Sequence, residues 1–179
     1  VLARLKGPVV ALNICFHPDG RIDYEAVRSY VNWLCRQRAP VLLLTYGSSE
    51  FGSMTDAEIW RLTEVVGEAN AGRSLFIAAT GWWPPAFCRE FLSHADAVGA
   101  DAVKVQIHPW AGGARDLLIA YFDALEGAAP IPLLLWDAGQ AYAVDTIAEL
   151  ARRPLIVGMK NDGDQFYHYY DLLRATAGE

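Results

Sequence analysis

The chain has 179 residues, 53% hydrophobic and 20% charged, with 15 Lys and Arg against 21 Asp and Glu for a net charge of −6. That composition is globular rather than disordered, and an acidic chain without a Lys/Arg run gives a nucleic-acid partner no electrostatic support. Apolar runs such as Pro40–Leu44 and Ile131–Trp136 fall far short of the roughly 20 residues a membrane span needs, and three scattered cysteines without a CxxC pair (Cys15, Cys35, Cys88) point to reduced thiols and a cytoplasmic setting.

In chain order, the pattern predicts a strand over Pro8–Phe16, a helix over Tyr24–Gln37, a strand over Val41–Thr45 and a helix over Thr55–Asn70. Thr55 and Glu58 have the spacing of a capping box, in which each satisfies a free backbone N–H of the first helical turn. A strand follows over Leu75–Thr80, a helix over Pro85–Val98 stopped by Gly99, and a strand over Ala102–Ile107. The series closes with a helix over Ala114–Leu125, a strand over Pro132–Trp136, a helix over Val144–Ala151, a strand over Leu155–Lys160 and a helix over Asp164–Thr176. The strands are near-continuous apolar runs, which indicates burial on both faces. Strict βα alternation implies an α/β fold with a parallel sheet. Nothing of low complexity interrupts it, so residues 1–179 read as a single domain. Six βα units fit either a doubly wound sheet or part of a (β/α)8 barrel, and the period alone does not separate the two. In both, ligands gather at the C-terminal ends of the strands.

Lys160 stands at such an end, at the tip of the apolar run "LIVGMK". Lysine is almost never fully buried without a partner. An amine desolvated among apolar groups loses its charge more readily and becomes a nucleophile toward carbonyls. The plainer reading is a lysine that snorkels to the rim or pairs with Asp162 or Asp164.

The chain as a whole resembles the dihydrodipicolinate synthase / N-acetylneuraminate lyase family of class I aldolases. "PVVALNICFHPDGRIDYEAVRSYVNWL" resembles that family's opening strand, turn and first helix, and "YGSSEFGSMTDAE" resembles its second-strand loop. "AGRSLFIAATG", "HADAVGADAVKVQI", "IPLLLWDAG" and "LIVGMKND" follow in the family's order, the last at the strand whose lysine forms the Schiff base. The resemblance implies a (β/α)8 TIM-type barrel of which this chain supplies about six units. It also implies a lyase, aldolase or dehydratase acting on a 2-oxo acid such as pyruvate, with Lys160 as nucleophile and no metal or organic cofactor. The expected partners are a small-molecule substrate and further copies of the chain in a homo-oligomer. A six-stranded wall would leave apolar edges open, so either the sequence is part of a longer chain or a partner covers the gap.

Some positions depart from the family pattern. By that resemblance Ser48 falls on the hydroxyl that binds the substrate carboxylate, and Ser49 beside it is a second candidate for substrate binding. Gly47 replaces the first hydroxyl of a proton relay, and Trp110 and Trp136 replace its two tyrosines. An indole N–H donates a hydrogen bond but does not pass a proton at neutral pH. Ala141 replaces an arginine that often follows the fifth strand. Tyr46 and His108 are the remaining candidates for acid/base work, and Trp110 and Trp136 are candidates for substrate contact. Trp82 and Trp83 either line an aromatic mouth suited to a flat substrate or pack helix against loop. The altered relay leaves open an alternative: a catalytically impaired relative that binds a small carbonyl compound or serves in assembly. His17, His94, His108 and His168 lack a metal-ligand spacing, "AGG" at 111–113 reads as a loop, and no nucleotide-binding or nucleophile-elbow motif is present.

Overall fold

The computed structural model describes residues 1, 3–107, 114–137, 139 and 142–177. Six strands, β1 (Val9–Ala11), β2 (Val41–Leu43), β3 (Leu75–Ala79), β4 (Ala102–Lys104), β5 (Leu133–Trp136) and β6 (Ile156–Lys160), alternate with helices. These are α1 (Tyr24–Arg36), α2 (Asp56–Asn70), α3 (Pro85–Ala97), α4 (Arg115–Asp123), α5 (Val144–Ala151) and α6 (Phe166–Ala175). The six strands and six α-helices stand where the hydrophobic pattern puts them, with a 3-10 turn at Phe51–Ser53 between β2 and α2. After β1 to β4 the apolar run continues past the ladder into the rim loops, whereas β5 and β6 end where predicted, at Trp136 and Lys160.

Strand order answers the question that the period leaves open. All five pairings are parallel and the order is β1-β2-β3-β4-β5-β6, without the reversal a doubly wound sheet requires. The sheet is therefore part of a TIM-type barrel wall. Its two faces carry different apolar clusters. Leu42, Phe76, Val103, Leu133 and Leu135 point outward into the core shared with the helices. Val41, Leu43, Leu75, Ile77, Ala102 and Leu134 point inward, where the first residues of the chain, Val1 and Leu5, pack against them.

Local chemistry fixes the helix ends. The Thr55 Oγ1 accepts from the Glu58 N–H (3.3 Å) while Glu58 accepts from the Thr55 N–H (2.8 Å), which is the predicted capping box. Gly99, at φ +85°, stops α3: its N–H reaches the Asp96 carbonyl and the Ala100 N–H reaches that of Ala95, a Schellman closure. At Gly67 an added Cβ would sit 2.1 Å from the Val98 carbonyl oxygen, so only glycine lets α2 approach the end of α3 this closely. β1 and β6 are the outer strands of the sheet. Helix α6 exposes Phe166, Tyr167, Tyr169, Tyr170 and Leu173.

Candidate active site

The C-terminal strand ends carry an aromatic run that crosses the sheet. Tyr46, after β2, lies 4.8 Å from Trp82, after β3 (ring centroids), and Trp82 stacks on Trp136, the last residue of β5, at 5.5 Å and 23°. A cleft of about 290 Å³ lined by Tyr46, Phe51, Gly52, Gly81 and Trp82 lies beside this run.

Trp136 pairs in register with Lys160, so β5 and β6 present them side by side on the inner face. Asp162 binds both: its Oδ2 accepts from the Trp136 Nε1–H at 2.5 Å and from the Lys160 ammonium. Burial pushes the Asp162 carboxyl upward, but those two bonds and the charges of Lys160 and Lys104 prevail and hold it below the usual carboxylate range. Asp137, fully buried, positions this turn. Its Oδ1 accepts from the Gly139 and Asp162 N–H groups, both at 3.0 Å, which ties the loop after β5 to the loop after β6. Its Oδ2 has no partner among the described residues. Burial and the facing Asp137 push the nearby Tyr142 phenol up to about 12.

The dry amine of the site is one that the sequence reading does not single out. Lys160, expected to be desolvated, keeps 30% of its side chain exposed and is ion-paired with Asp162. Lys104, the last residue of β4, is 0% exposed. Its Nζ lies 3.9 Å from the Trp136 ring centroid and donates to the Gln106 Oε1 at 3.1 Å; the Lys160 Nζ lies 5.4 Å from the same ring. Among the described residues no carboxylate pairs with Lys104 at ion-pair distance. Burial and then the like charge of Lys160 lower its amine to about 7, with Asp162 opposing. The register Lys104–Leu134–Gly158 sets it one layer below Trp136 and Lys160, and Gly158 leaves that layer without a side chain on β6. A signal for it existed: Lys104 interrupts an apolar strand two residues after inward-facing Ala102, and side chains alternate faces with period two.

The other expected site residues divide. Ser48 is exposed on the turn after β2, and Tyr46 is half-buried in the aromatic run. Ser49 departs from the expectation. It is fully buried and its hydroxyl is committed to backbone, donating to the Leu12 carbonyl (2.7 Å) and accepting from the Thr45 N–H (3.1 Å). It ties β1 to the β2 loop and does not face the mouth. Trp83 likewise packs helix against loop: 7% exposed, it lies against Phe87 and Phe91 and donates to the Asp56 Oδ1 at 2.6 Å. His108, Trp110, Ala141 and the "AGG" loop at 111–113 lie outside the described residues.

Residues 4–178 match the profile of the Dihydrodipicolinate synthetase family. The chain is 30% identical to a probable 5-dehydro-4-deoxyglucarate dehydratase of Streptomyces coelicolor, over 82% of this chain and 45% of that protein. It is 30% identical to a 4-hydroxy-tetrahydrodipicolinate synthase of Acidiphilium cryptum, over 87% of this chain and 54% of the relative. The chain thus spans about half the length of these curated relatives. Among solved structures, the dihydrodipicolinate synthase of Acinetobacter baumannii in complex with pyruvate superposes with a TM-score of 0.86 at 23% identity, covering 97% of this chain and 61% of that one.

Proposed function

The chain belongs to the Dihydrodipicolinate synthetase family, and from that premise we propose that it forms a Schiff base with a 2-oxo acid at Lys160 and catalyses an aldol or dehydration reaction on the adduct. The observation that carries this reading is the placement of Lys160 at the C-terminal end of β6, beside an indole and a carboxylate on the inner face of the barrel wall. Transfer of a proton from the Lys160 ammonium to its partner Asp162 frees the Nζ, which attacks the ketone carbon, and a new N–C bond forms as the carbonyl electrons move to oxygen. Two proton transfers let that oxygen leave as water and give an iminium. The iminium withdraws electrons from the adjacent carbon, which loses a proton to form an enamine. The enamine then either adds to a second carbonyl or expels a hydroxyl from the next carbon as water. Ser48, exposed on the β2 turn, is the proposed carboxylate binder. The Tyr46–Trp82–Trp136 run supplies a flat apolar wall that favours substrates with an apolar or aromatic tail.

Intact-mass measurement after incubation with a panel of 2-oxo acids and borohydride tests the reading. The expected result is a reduced adduct of the size of the acid, with an aryl pyruvate among the best reagents. No adduct with any 2-oxo acid would refute it, and adducts that form without product release would mark a carbonyl binder instead.

A further inference from the structure

Imine chemistry at Lys160 needs a group that takes up and gives back protons, and the residues beside it are poorly suited. The Trp136 N–H is already donated to Asp162, and Asp162 is held ionised by two donors. Lys104 differs from both. It is an amine sealed from water inside the barrel wall, with a glutamine oxygen as its hydrogen-bond partner, under the same indole that Lys160 flanks. Gln106 is itself held at both ends of its reach: its backbone N–H donates to the Thr80 Oγ1 at 2.9 Å and its side-chain amide donates to the Thr80 carbonyl. The amide oxygen is thereby turned toward Lys104. A buried amine with a neutral acceptor, and with no carboxylate at ion-pair distance among the described residues, is arranged for the uncharged state.

We infer that Lys104 is a second catalytic amine, the base that accepts protons from the Lys160 adduct and returns them to the departing oxygen. The inference rests on the Schiff-base reading. In the first stage the Lys104 amine takes a proton from the N⁺H2 group of the protonated carbinolamine and, as ammonium, gives it to the hydroxyl, which leaves as water while the nitrogen lone pair closes the C=N–H⁺ iminium. In the second stage the free amine takes a proton from the carbon next to the iminium, and the C–H electrons become the enamine double bond. Each transfer leaves Lys104 changed by one proton, and each is reversed before the cycle ends. Among the described residues, the groups that face the Lys104 amine are Gln106, which does not titrate, Trp136 from β5, and Lys160 and Asp162 from the end of β6. Its amine stands near 7, so the free form prevails just above neutrality, where a general base works best.

Exchange of the pyruvate methyl protons with deuterated water, followed by NMR with the purified protein, reads the second stage directly. Borohydride trapping at Lys160 reads imine formation separately. Lys104→Met is expected to keep trapping at Lys160 at completion while slowing exchange about 10²–10³-fold, within the range of a positioned base, and to abolish the rise in exchange through about pH 7. Lys104→Arg retains a cation but does not give up its proton, so it should be as slow as Lys104→Met. Restored exchange in the arginine variant would mean that Lys104 serves only as a structural cation, and would overturn the assignment. Exchange within threefold of the unaltered protein in Lys104→Met would overturn it too. If the unaltered protein fails to trap pyruvate, the Schiff-base reading falls and this inference with it. Trapping with unaltered exchange would remove only the role of Lys104.

Discussion

A buried amine leaves a signature in the pH dependence of folding. In the unfolded chain Lys104 titrates near the ordinary lysine value of 10.5, and in the folded protein near 7. Below about pH 7 both states hold the proton, so the full cost of burying an ammonium weighs on the fold. Between about pH 7 and 10.5 the unfolded state binds one more proton than the folded one, so raising the pH favours folding by about 1.4 kcal/mol per unit. Lys104→Met keeps an apolar stem of the same four-atom length and removes the ammonium. The variant should therefore be more stable than the parent at pH 6.5. Its advantage should shrink by about 2–3 kcal/mol as the pH rises from about 7.5 to 9.5. Every other titrating group is shared, so its contribution largely cancels in the difference. Urea denaturation of both proteins at four pH values across that range gives the measurement, with stability taken at constant slope. An advantage that stays flat with pH would show that Lys104 is not desolvated in the folded state and would refute the reasoning. A parent more stable than the variant at pH 6.5 would do the same.

Three other substitutions test separate parts of the structure. In Gly81→Ala the new Cβ would lie 2.6 Å from the Trp83 Nε1, so the indole must shift off Asp56; a loss of about 1–3 kcal/mol in chemical denaturation is expected, and a change under about 0.5 kcal/mol would mean the loop absorbs it freely. Thr55→Ala removes the capping box of α2 and should cost about 1 kcal/mol, while Thr55→Ser should restore most of it; equal losses in both would point to the methyl rather than the hydroxyl. Trp136→Tyr breaks the stack with Trp82 and the bond to Asp162. It should weaken aryl 2-oxo acid binding while sparing pyruvate, whereas a tenfold gain in pyruvate adduct formation with the aryl compound unaffected would favour a lost relay over an aromatic wall.

The parts of the fold legible in the sequence are those set by near-neighbour chemistry. Apolar runs and caps place all six strands and six helices, because each element's pattern and ends are local properties. The period alone does not separate a barrel from a doubly wound sheet, since strand order depends on which edges meet in space; the family resemblance points to the barrel, and the strand order agrees. The site divides in the same way. Lys160 is conspicuous because it ends an apolar run and carries the family resemblance. Its partner Asp162 is two residues away in sequence, so that pairing stands among the sequence's alternatives. Lys104 is inconspicuous in the sequence because its significance depends on β4, β5 and β6 lying side by side, which brings two amines to one indole. Ser49 is hidden for a related reason: it neighbours Ser48 in sequence, but its hydroxyl binds the Leu12 carbonyl, a contact between distant parts of the chain. For Trp83 the sequence leaves mouth and packing both open, and the bond to Asp56 decides for packing.

The chain has three lysines, and peptide mapping of the protein reduced with borohydride in the presence of pyruvate tells them apart. A Schiff base at the end of β6 leaves a reduced pyruvyl group on Lys160, in the peptide carrying "MKND", with Lys104 and exposed Lys6 unmodified. A label on Lys104 would move the nucleophile from β6 to β4, and equal labelling of Lys6 and Lys160 would reduce the reaction to surface chemistry; either result would contradict that assignment.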